Sequence, residues 1–142
     1  IISDNHVSKQ IKELLKLNEL NIKIYEKVSN LKPKFIGNCD VIFSVGYLKK
    51  IESKIIKNYE IINLHPSLLP KYKGLMTHKR MLINKENKYG YTIHKVSKYL
   101  DDGEILIQNQ KNIYTSNENE LSFNHKQLEH QRVFKDLVNF LD

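Results

Sequence analysis

Asn63 and His65 stand two residues apart near the end of the run Ile61-Ile62-Asn63-Leu64-His65-Pro66-Ser67-Leu68-Leu69-Pro70. In a strand, side chains two apart share a face, so the amide and the imidazole would project together. Pro66 has no N–H to give to a ladder and fixes its own φ, which leaves the pair at the strand's carboxyl end. Open α/β sheets keep their chemistry at that end. A histidine before a proline is more commonly a plain turn residue. Here a second polar cluster, Leu100-Asp101-Asp102-Gly103-Glu104, stands at the head of the apolar stretch Ile105-Leu106-Ile107. An Asn amide can donate to a developing oxyanion, and an imidazole can donate or shuttle a proton. A nearby carboxylate can order a water. No activated side-chain nucleophile accompanies the three. The set therefore suits transfer of an acyl group between two bound molecules, one of which brings its own nucleophile.

Other chemistries find less support. The histidines at 6, 65, 78, 94, 125 and 130 lack zinc-ligand spacing, so no metal site is expected. There is no Gly-x-Ser-x-Gly elbow. The five glycines are isolated, so no glycine loop cradles a phosphate.

The elements that must position these residues follow from hydrophobic periodicity. Ile1–Ser3 looks like the tail of a strand, with Asp4 or Asn5 capping a helix that carries Val7, Ile11, Leu14, Leu15 and Leu17. Residues 22–25 form a short alternating strand, and residues 26–38, with Pro33 and Gly37, are loop or short helix. Asp40–Val45 is a continuous apolar run, the mark of a strand buried on both faces. Gly46 closes it, and residues 47 to about 57 read as a basic amphipathic helix with Leu48, Ile51, Ile55 and Ile56. After the Asn63–His65 strand come a short helix over 76–84, strands over 90–96 and 104–108, and a closing helix striped by Leu121, Leu128, Phe134, Leu137 and Leu141. Strands alternating with helices predict an α/β fold built on a parallel sheet with crossover helices.

At 142 residues, with 40% hydrophobic and 27% charged side chains, the chain reads as a single soluble domain over 1–142. No apolar run approaches the roughly 20 residues that span a bilayer, and a cytoplasmic location is expected. Cys39, the single cysteine, reads as a reduced thiol at a buried edge. The net charge of +7 comes from lysines spread from Lys9 to Lys135 without a compact basic tract. Nucleic-acid binding is therefore not expected; the field would favour a small anionic substrate.

The two motifs carry a resemblance. Asn63-Leu64-His65-Pro66-Ser67-Leu68-Leu69-Pro70-Lys71-Tyr72-Lys73-Gly74, followed by Leu100-Asp101-Asp102-Gly103-Glu104-Ile105, resembles the folate-dependent formyltransferases, in matching order from about Ile2 to Leu141. That resemblance implies a Rossmann-like, mostly parallel sheet with helices on both faces, and 10-formyltetrahydrofolate as formyl donor. It implies catalytic roles for Asn63, His65 and Asp101, with Asp102 departing from the small residue often found in its place. It also implies a folate-pocket loop at Val45, Gly46, Tyr47, Leu48 and Lys49, where Lys49 stands for a common Arg, and a cis bond before Pro70.

Within the family, Gly74-Leu75-Met76-Thr77-His78-Lys79-Arg80 is similar to the glycinamide ribonucleotide branch of purine biosynthesis. Leu128-Glu129-His130 is too, which gives Glu129 a role near the substrate phosphate. The expected substrate is thus the small anionic amine glycinamide ribonucleotide. A nucleotide-linked amino sugar is the alternative, and a non-catalytic folate- or nucleotide-binding relative is the rival of another class. Whether the chain forms a homodimer is left open. Family members begin with a strand and a glycine-containing loop, and this chain opens after both. The resemblance therefore implies an N-terminally incomplete domain with weak or no turnover alone, and Ile2 and Ile42 on strands about 10 Å apart across the missing one.

Overall fold

Strand β1 (Ile42–Val45) and strand β2 (Ile61–His65) are parallel neighbours, with Ile42 opposite Ile61 and Val45 opposite Leu64. The structure, a computed structural model of the chain, describes residues 31–141 together with Glu13. The strand–helix–strand expected over residues 1–25, and the spacing of Ile2 from Ile42, lie outside the described residues.

Alternation along these two strands feeds two cores. Ile42 and Ile61 point to one face, where they pack with Leu31, Ile36, Tyr47, Ile51 and Ile55. That side carries helix α1 (Pro33–Ile36), started by a proline whose missing N–H costs a first turn nothing, and helix α2 (Ser53–Asn58). Phe43, Ile62 and Leu64 point the other way, into a core with Met81, Tyr89, Tyr91, Ile93, Leu121, Leu128, Val133 and Leu137. Helix α3 (Thr77–Ile83) and helix α4 (Glu118–Leu141) cover that face. Fully burying each such Leu or Ile contributes about 2 kcal/mol.

Strand β3 (Lys88–Lys95) runs antiparallel to β2, and strand β4 (Ile105–Asn112) antiparallel to β3, in the order β1-β2-β3-β4. The described part of the sheet is therefore mixed, with one parallel pairing among three. A parallel return needs a crossover long enough to carry the chain back to the start of the previous strand. The seven residues of α3 rise only about 10 Å. The chain re-enters beside the end of β2 and runs backwards along it. At Gly90 the neighbouring strand comes so close that a Cβ would sit 1.9 Å from the Asn109 carbonyl oxygen.

Helix α4 starts where Asn117 Oδ1 accepts from Glu120 N–H at 3.0 Å, while Thr115 Oγ1 donates to the Glu120 carboxylate at 2.7 Å. A polar lock ties its far half to the sheet. The Tyr91 hydroxyl and the Asn109 amide both donate to the Asp136 carboxylate, and Asn109 also donates to Tyr91 Oη at 2.8 Å. Burial, followed by the hydrogen bond to Asp136, pushes the Tyr91 hydroxyl far above the ordinary phenol range.

Two local expectations are corrected. The helix expected over 47–57 begins only at Ser53. Gly46 turns at φ 65°, after which Tyr47 and Ile51 are buried while Leu48 is 66% exposed. Their four-residue spacing mimics a helix but arises from an irregular segment anchored at both points. Cys39 is exposed rather than buried at an edge, because burial of this segment begins only where the strand does.

Candidate active site

Asn63 and His65 alternate with Ile62 and Leu64, which face the α3/α4 core, so they project from the opposite face. Register brings them their neighbours: Asn63 lies opposite His94 and His65 opposite Thr92. On β3 the same alternation sends Tyr91 and Ile93 into the core and leaves Thr92 and His94 beside the pair.

Beyond Pro66 the chain folds over this face. The Thr92 hydroxyl, completely buried, donates to the Ser67 carbonyl at 2.7 Å and accepts from Leu69 N–H and Gln108 Nε2, each at 3.0 Å. The Leu69–Pro70 bond is cis. Ser67 Oγ donates to the carbonyls of Lys71 (2.7 Å) and Tyr72 (3.2 Å). Tyr72, Gly74 and Met76 then take left-handed φ values of 57°, 83° and 57°. For the two that are not glycine this is a strained conformation that the surroundings must hold.

The polar atoms interlock. His94 Nδ1–H donates to the Lys95 carbonyl at 2.9 Å, leaving Nε2 as a lone pair that accepts from Asn63 Nδ2 at 3.2 Å. Burial, partly offset by that carbonyl and by Asp101, holds the His94 imidazole below its ordinary pKa and so neutral, as an acceptor must be. One Asn63 N–H is thus spent on His94 and its second remains for another acceptor. His65 Nε2–H donates to the Tyr72 carbonyl at 2.8 Å, so Nδ1 faces Asp101 Oδ2 at 3.4 Å. Asp101, at φ 49°, also accepts from Gly74 N–H at 2.8 Å, and its other oxygen lies 3.8 Å from His94 Nε2. The side chains of His65, His94 and Asp101 are 6%, 3% and 8% exposed, so little water screens them. Asp102 instead pairs with Lys73 at the surface.

Asn63, His65 and Asp101 are thus brought together, and the structure adds His94, which sequence reasoning treated only as a strand residue. Its alternation with Thr92 was visible; the register that sets it opposite Asn63 was not. The segment from Val45 to Lys49 leaves β1 directly beside the end of β2, since Ser44 lies opposite Asn63. Within it the Tyr47 ring is buried in the α1/α2 core, its hydroxyl accepting from Leu31 N–H at 3.3 Å. Glu129 lies on α4 and outside the cluster. Its carboxylate accepts from His125 Nε2 at 2.7 Å, and the His125 ring centre lies 4.7 Å from that of His78, the two rings tilted by 58°. Among the described residues, no group of three or more His, Cys, Asp or Glu is arranged to hold a metal ion.

Comparison with known proteins places the chain among formyltransferases. Phosphoribosylglycinamide formyltransferase of Haemophilus influenzae is 41% identical over 71 residues, covering 49% of this chain and 34% of the relative. The chain thus spans about a third of the length of that relative. The crystal structure of phosphoribosylglycinamide formyltransferase from Bacillus halodurans superposes with a TM-score of 0.72 at 24% identity, over 99% of this chain and 79% of that one. The formyltransferase PseJ from Anoxybacillus kamchatkensis, in complex with UDP-4,6-dideoxy-4-formamido-L-AltNAc and tetrahydrofolate, gives 0.75 at 24% identity, over 96% and 75%. Residues 13–137 match the formyl transferase family: the chain belongs to it.

Proposed function

We propose that this domain transfers a formyl group from 10-formyltetrahydrofolate to the primary amine of a small phosphorylated substrate, glycinamide ribonucleotide. The observation that carries the reading is the interlocked set Asn63, His65, His94 and Asp101 on one dry face of the sheet in a chain of this family. When the amine attacks the formyl carbon, its oxygen gains charge. Asn63, oriented by His94, gives its second N–H to that oxygen. His65 Nδ1 and Asp101 Oδ2 take the proton the amine nitrogen sheds and return it to the folate nitrogen as the carbon–nitrogen bond to it breaks. His65 is held for this by its Nε2–H bond to Tyr72.

The loop from Val45 to Lys49 would line the folate, and Glu129 would approach the anionic end of the amine. Similarity to the Haemophilus enzyme supports the purine substrate. A nucleotide-linked amino sugar is the second reading, supported by the likeness to a formyltransferase complexed with such a product. In the full-length protein, Asn63→Ala and His65→Ala should each lower kcat for formyl transfer on the order of 100-fold. Values within a few-fold of the parent enzyme refute the assignment. Turnover with both amines decides the substrate, and formylation of the sugar alone overturns the purine reading.

A further inference from the structure

The loop from Lys71 to Met76 holds both ends of the His65–Asp101 pair. The Tyr72 carbonyl accepts the His65 Nε2–H, and Gly74 N–H donates to Asp101. Two residues of that loop are non-glycine with left-handed φ, so it does not keep this shape by backbone preference alone. One side chain grips it from outside. Arg80, on α3, donates through Nη1 to the carbonyls of Lys73 (2.7 Å) and Leu75 (3.0 Å), one on each side of Gly74. Its guanidinium carbon also sits 5.2 Å from the centroid of the Tyr72 ring. That ring is fixed in turn: its hydroxyl donates to Glu86 Oε1 at 2.8 Å and accepts from Asn84 Nδ2 at 3.1 Å.

We propose that Arg80 is the positioning residue of this site. By clamping the carbonyls around Gly74 and the Tyr72 ring, it sets the tautomer of His65 and the place of Asp101 without touching either. The inference rests on the formyl-transfer reading only for its kinetic consequence; the tautomer consequence stands without it. Nη1 alone reaches both carbonyls, while the delocalised guanidinium it belongs to lies over the Tyr72 ring. Removing the side chain's donors and charge removes all three contacts together.

The test uses the full-length protein labelled with 15N, and long-range 1H–15N correlation of the His65 ring at a pH where imidazoles are neutral. In the parent protein the ring should show the Nε2–H pattern alone. Arg80→Ala should give a mixture of tautomers, and kcat should fall by about 10- to 100-fold, the range expected when catalytic groups shift by up to 1 Å. KM for the amine should stay within about threefold, because every contact named for Arg80 is to the loop. Added guanidinium should restore both the ring pattern and part of kcat. An unchanged His65 pattern in Arg80→Ala overturns the proposal. Should that variant fail to fold, Arg80→Met answers the same question. It keeps the apolar stem but neither donor nor charge, so a parental ring pattern there also overturns it. If Asn63→Ala and His65→Ala retain full formyl transfer, the catalytic reading fails, while the ring pattern still decides the role of Arg80.

Discussion

Acidification should weaken the fold through His78, and the size of the effect can be worked out. His78 sits on α3 with its ring tilted against that of His125, and its Nε2 has no hydrogen-bond partner among the described residues. Burial, then repulsion from His125, lowers its pKa from 6.5 to about 4, with Lys126 adding to the shift and Glu129 opposing it. The unfolded chain therefore binds a proton near 6.5 that the folded chain refuses until about 4. Stability is full above 6.5 and drains away as the pH falls between the two values. At about 1.4 kcal/mol per pH unit, that window carries about 3 kcal/mol. The ring is only partly buried, and solvent screening brings the expectation to about 2 kcal/mol. Urea unfolding of the parent protein and of His78→Gln, at about pH 7 and about pH 4.5, isolates the contribution, because the other titrating groups cancel in the difference. The parent should lose about 2 kcal/mol more than the variant on acidification. If both lose the same amount, His78 does not titrate as its burial requires and the reasoning is wrong.

Two further substitutions test the mounting of the site. Thr92→Val keeps the shape but strands the Leu69 N–H and removes the donor to the Ser67 carbonyl. Leaving those buried groups unpaired should cost about 3 kcal/mol, read from the urea midpoint. At Gly103 an added Cβ would lie 1.6 Å from the Lys95 carbonyl oxygen. Gly103→Ala must therefore push the Asp101 turn away from His65. It should lower kcat by about 100-fold, while the far-ultraviolet circular dichroism stays close to that of the parent.

The elements most legible in the sequence were those whose own residues dictate them. Strand β2 announces itself by an apolar run stopped at Pro66, and α4 by Leu121, Leu128 and Leu137 at helical spacing. The α/β class followed from their alternation. Strand direction did not, because it depends on how far α3 carries the chain, and length alone at 77–83 gave no direction. The irregular stretch before α2 misled through Leu48 and Ile51, apolar residues at a helical interval of which only Ile51 is buried. At the site, the alternation of Asn63 with His65 needed only a strand. The neighbourhood of His94 needed the β2–β3 register, and the approach of Asp101 to His65 needed the loop at Gly74 to close over it. The clamping role of Arg80 gave no signal, since its hydrogen-bond partners are backbone carbonyls that every sequence possesses.

The spatial order of the strands repeats their order along the chain. Every sheet pairing in the described region therefore joins consecutive strands, and no strand waits for a distant one to arrive. Chains built from such near-neighbour contacts meet a smaller loop-closure cost and fold faster than those pairing remote segments. Asn63, His65, His94 and Asp101 all fall within the stretch from β2 to the turn before β4. On a ribosome that stretch emerges as one piece, N-terminal part first. The reacting face can thus take shape before α4 has left the exit tunnel, and the helix then seals the opposite side.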